Sequence, residues 1–178
     1  MKFDIQVMSA PRSEKTFSTA EEMVAGLWET AEEVIEGDGY HAPMMFSFTK
    51  DVMQAFDLTQ PIQQDACDEL ADMIRQVAKN PEVEGIVMVH EIWYLDDLDG
   101  IDDMMLALAA KEAAKGELKD FPGRKEGIRV HGEMRNGTKH ARWAEVTKDE
   151  YGNAKVGPQK DENVAEANQR GRFCNFFE

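Results

Sequence analysis

The sequence predicts an α/β or α+β protein, a mixed sheet of about four to five strands with helices packed on it and an Asn-Gly β-hairpin toward its C-terminal end. Three observations lead there. Helical and strand periodicities alternate along the chain, residues 83–95 form a sustained β-branched apolar run, and Asn136-Gly137 is the strongest short-range hairpin signal that a sequence offers. A length of 178 residues suits one domain spanning 1–178, with 1–15 and 161–178 as peripheral segments.

Taken in order, Phe3, Ile5 and Val7 alternate as in a short edge strand, and Ala10-Pro11-Arg12-Ser13 reads as a turn. Ser18-Thr19-Ala20-Glu21 fits a capping box. Behind it Met23, Val24, Leu27, Trp28, Ala31, Val34 and Ile35 recur at helical spacing until Gly37 and Gly39. Residues 44–49 read as a short strand, with Pro43 at its beginning where no ladder bond is lost. In the next helix Ile62, Ala66, Leu70, Met73, Ile74 and Val77 share a face, Pro61 suits the first turn, and Asn80-Pro81 ends it. The apolar run 83–95 predicts a strand covered on both faces, at the centre of the sheet. Aspartates at 96–103 then open an alanine-rich helix that runs to about Lys115, its end charges matching the helix dipole. Residues 126–148 form the hairpin, and a short strand near 154–156 extends it. Strands that are linked by helices and pair directly are expected to run parallel.

The chain carries 35 acidic and 20 basic residues, a net charge of −15. The acidity lies in residues 1–122, with 26 acidic against 9 basic side chains, whereas 123–178 hold 9 and 11. Such a surface repels phosphates and anionic lipid at long range, so direct nucleic-acid or membrane binding is not expected. No apolar run approaches the ~20 residues of a membrane span, and the first residues lack the apolar core of a signal peptide. The protein is therefore expected to be soluble and cytoplasmic. Cys67 and Cys174 stand apart, which supports neither a disulfide framework nor a thiolate zinc site.

All four histidines, His41, His90, His131 and His140, fall in or beside predicted strands. If Asn136-Gly137 is a two-residue type I′ loop, Glu133 faces His140, His131 faces Arg142 and Arg135 faces Thr138. One hairpin face is then polar, and Ile128, Val130, Met134, Ala141 and Trp143 make the other. Imidazoles beside a carboxylate and a guanidinium suit acid-base work or an anionic ligand, so the candidate catalytic residues are His131, Glu133, His140 and Arg142, with Glu91 of the central strand added. Ordinary solvated cross-strand pairs explain the same residues. An EF-hand alignment of the aspartates fails, because Leu95 and Leu106 stand at ligand positions one and twelve. No metal site or cofactor is specified, and the signatures of NTPases, dinucleotide binders, zincins and α/β-hydrolases are missing.

The reading that best fits is a small acidic protein that acts by protein-protein interaction or regulation. An enzyme that handles a small anionic or phosphorylated substrate on the His/Glu/Arg face is the alternative, and a nucleic-acid mimic a further one. Phe173, Phe176 and Phe177 are too apolar to be left in water, and are expected to fold back on the domain or to meet a partner or a second copy.

Overall fold

The computed structural model describes residues 5–12, 17–63, 67–94, 124–162 and 175–177. Within them lie strands β1 (Val7–Pro11), β2 (Met44–Phe48), β3 (Val52–Asp57), β4 (Gly85–Tyr94), β5 (Lys125–Met134), β6 (Lys139–Lys148), β7 (Ala154–Val156) and β8 (Lys160–Glu162). The helices are α1 (Ala20–Asp38), α2 (Thr59–Gln63) and α3 (Cys67–Lys79). The aspartate cluster and the alanine-rich helix expected after residue 95 lie outside the described residues, as does Phe173.

The α/β class agrees with the sequence reading, but the sheet does not. It has eight strands rather than four to five, in the order β1-β3-β2-β4-β5-β6-β7 with β8 also on β6. Every pairing is antiparallel rather than mixed. The cause is β3, whose Met-Gln-Ala-Phe interior shows no clean alternation and escapes a periodicity reading. It forms because Thr49 closes a tight turn, its backbone N–H and its hydroxyl both bonded to Val52 O and its hydroxyl accepting from Val52 N–H.

That extra strand turns each expected parallel neighbour into a parallel pair with one strand between. β1 and β2 run in the same direction on either side of β3 and are joined through α1, while β3 and β4 flank β2 and are joined through α2 and α3. Both links shift the chain two positions the same way, from strands of opposite direction. Crossovers of one hand must then lay their helices on opposite faces of the sheet. Two cores result. On the first, Met23, Val24, Trp28 and Ile35 of α1 meet Val87, Val89, Ile128 and Val130. On the second, Leu70 and Ile74 of α3 meet Met45, Ile86, Met88 and Phe176. This is why Ile86–Val89 of β4 reads as a continuous apolar run, and the strand sits fourth of seven along the sheet as expected. Trp28, Val87 and Val89 are buried as their pattern implies, and Leu27 is half-buried.

α1 begins one residue later than its expected box: Thr19 is the N-cap, and Glu22 returns its carboxylate to the Thr19 N–H. The helix ends on Gly39 at φ 81°, a left-handed cap that a glycine adopts without strain. Its close approach to the sheet depends on Gly132, where a Cβ would come within 3.0 Å of Val24. The Ala10-Pro11 turn is corrected as well, since both residues belong to β1. Gln6 O accepts from Asp57 N–H and Arg12 N–H donates to Asp51 O, so the alternation of the ladder turns the backbone groups of Val7, Ser9 and Pro11 away from β3. Proline at an outward position deprives the ladder of nothing.

The hairpin register is the main correction. Glu133 lies opposite Lys139, His131 opposite Ala141, and Arg142 opposite Val130, one residue from the expected pairing. Gly137 alone takes a positive φ, 90°, and its N–H bonds Met134 O while Met134 N–H bonds Thr138 O. This is a three-residue loop that closes on a left-handed glycine instead of a type I′ turn.

Candidate functional site

A one-residue slip moves side chains to the other face. The slip separates the five candidates. His131 and Glu133 share the second face with Lys139, Ala141 and Trp143, whereas Glu91, His140 and Arg142 lie on the α1 face. They do not assemble into one cleft.

Glu133 and His131 are each only 1% exposed, with His131 Nε2 3.4 Å from Glu133 Oε1. A carboxylate so buried needs donors. They come from the far end of the chain: Asn175 N–H donates to Oε1 at 2.7 Å and Phe176 N–H to Oε2 at 2.9 Å. Asn175 has φ 58°, a left-handed conformation that asparagine tolerates better than most residues, and it turns two consecutive amides toward one anion. Lys139, opposite Glu133 in the ladder, donates to Asn175 Oδ1 at 2.6 Å. Phe176 packs its ring 5.9 Å from that of His131, and Arg135 lies 4.9 Å over the Phe177 ring. Arg135 is itself fixed by donating to the carbonyls of Ala78, Asn80 and Val83, in the last turn of α3 and the loop that follows it. Phe176 and Phe177 therefore fold back on the sheet. A cavity of about 230 Å³ opens beside them, lined among others by Arg75, Lys79 and Arg135.

The remaining candidates sit nearer solvent. Asp161 of β8 joins His140 Nε2 at 3.1 Å to Arg142 Nε at 2.8 Å, and the hydrogen bond from Arg142 holds the Asp161 carboxyl below its ordinary range. Glu91 accepts from the His41 N–H at 3.1 Å. Burial lowers the pKa of His41, and lowers that of His90 to about 4, against the bond to Glu91 O and in the same direction as the Arg129 charge. Sequence reasoning missed Asp161, Lys139 and Asn175. The single cue was an asparagine just before two aromatics, a residue suited to a left-handed turn.

Among the described residues, no group of three or more His, Cys, Asp or Glu side chains is placed to hold a metal ion. No helix among them is long and apolar enough to cross a membrane. Fold and site together define an α/β protein built on an antiparallel sheet with a helix on each face, whose buried carboxylate receives a distant segment of its own chain. The chain belongs to the bacteriophage lambda protein ea47 family, whose profile matches residues 2–171. That stretch includes Glu133 and His131 and stops before Asn175. No curated protein and no solved structure matches the chain.

Proposed function

We propose that the protein acts by binding another protein through the outer edge of β1, without catalysis of its own. The observation that carries this is the state of that strand. It pairs with β3 on one side, all five of its residues are exposed, and Val7 and Met8 keep 49% and 61% of their surface in water. The N–H and C=O groups of Val7 and Ser9 point outward, an arrangement that an extended segment of a partner can join as an added strand. Uncharged β1 lets such a strand approach an otherwise anionic protein, and membership in a bacteriophage family supports a host protein as the partner.

Ser9→Pro tests the reading, because it removes an outward N–H and leaves the ladder to β3 intact. Immobilised protein is expected to retain a specific protein from a bacterial host lysate, and Ser9→Pro and Met8→Lys are each expected to lose it at an unchanged melting temperature. Retention of the same proteins by all three would overturn the proposal, and a doubled solution mass that Ser9→Pro halves would point to a second copy instead. The enzymatic alternative retains the His140–Asp161–Arg142 cluster in its favour. Arg142→Ala separates the two readings, since partner capture through β1 does not involve it.

A further inference from the structure

We propose that the part of the sheet around Glu133 and His131 is a peptide-binding site, self-occupied by Asn175–Phe177, which takes from another chain a segment with the same asparagine–aromatic pair. Glu133 engages backbone amides, which any peptide presents once one of its residues turns left-handed, and asparagine is among the few L-residues that do so readily. Side chains supply the selection. Lys139 reads the asparagine Oδ1, the His131 ring packs against the first aromatic, and the Arg135 guanidinium covers the second.

The walls are held without the segment. Glu133 and Lys139 are paired in the β5–β6 ladder, and Arg135 is tied to three carbonyls in the last turn of α3 and the loop that follows it. The occupant is attached through its two amides, the Asn175 amide oxygen and the Phe176 ring seated in the second core, and the cavity of about 230 Å³ beside Phe176 and Phe177 leaves open space along its flank. A buried carboxylate deprived of these donors favours any chain that restores them. The site is distinct from the β1 edge, so either proposal can fail alone.

The probe is a dye-labelled, N-acetylated peptide of residues 175–178, titrated by fluorescence anisotropy into the full-length protein. Phe176→Ala weakens the internal occupant. It is expected to bind the peptide at least 10-fold more tightly than the unaltered chain does, and adding Glu133→Gln is expected to reverse that gain. A folded Phe176→Ala protein that binds the peptide no better than the unaltered chain overturns the proposal. Should that variant not fold, hydrogen exchange of the unaltered chain decides. The Asn175 and Phe176 amides are expected to exchange at least 100-fold faster than those of Val87 and Val130, and equal protection overturns the proposal.

Discussion

Glu133 owes its place in the interior to two N–H donors that lie 42 and 43 residues further along the chain. In Glu133→Gln one of the two oxygens becomes an NH₂ group that faces an N–H, so a bond is replaced by a clash of donors. A loss of about 2–3 kcal/mol is expected in urea unfolding, and more for Glu133→Ala, which leaves both amides without an acceptor. His90 acts in the same sense as a paired carboxylate, because its folded pKa is also lowered, here by burial. Its folded pKa of about 4 lies below the ordinary 6.5, so the unfolded chain binds the proton first, and the stability present above pH 6.5 falls as pH drops toward 4. The ring keeps part of its surface in water, and the loss it contributes is about 1–3 kcal/mol, the upper end applying to full desolvation. Unfolding followed between pH 7 and pH 4 checks this, with a shallower decline expected for His90→Gln.

Among the elements, α1, β4 and the existence of the hairpin were legible because each rests on local periodicity, a cap or a turn residue. The register of β5 against β6 was not. Asn-Gly serves a type I′ turn and a three-residue loop alike, and tertiary contacts make the choice. Asn136 Oδ1 accepts from the Thr138 N–H, Asn136 Nδ2 donates to Ser18 O, and Thr138 Oγ1 accepts from the Ala20 N–H at the start of α1. The polar pair His131 and Glu133 could be singled out in the sequence, but not the segment that satisfies it, since nothing local links residue 133 to residue 175. Thr19→Ala, which breaks the cap of α1, is expected to lower stability by about 1 kcal/mol in urea. Val89→Asp is a harsher change, because that position is 1% exposed beneath α1, and the loss of a cooperative thermal transition is the expected outcome.

At the scale of the molecule, the two crossovers explain why so acidic a chain holds together: they give one sheet two apolar cores, with Glu133 the acidic side chain taken inside the second. A net charge of −15 still opposes compaction, so the melting temperature is expected to rise by a few degrees between about 10 and 200 mM NaCl as repulsion is screened. The bonds between Glu133 and the Asn175 and Phe176 amides also bear on the order of events during synthesis. A ribosome that adds about 5–20 residues per second delivers Asn175 roughly 2–8 s after Glu133. For that interval the growing chain holds a carboxylate meant for an interior that its partners have not reached, and the second core cannot finish closing over it. Completion of the second core is thus timed by translation, and a chain halted before Asn175 waits with that side unsealed.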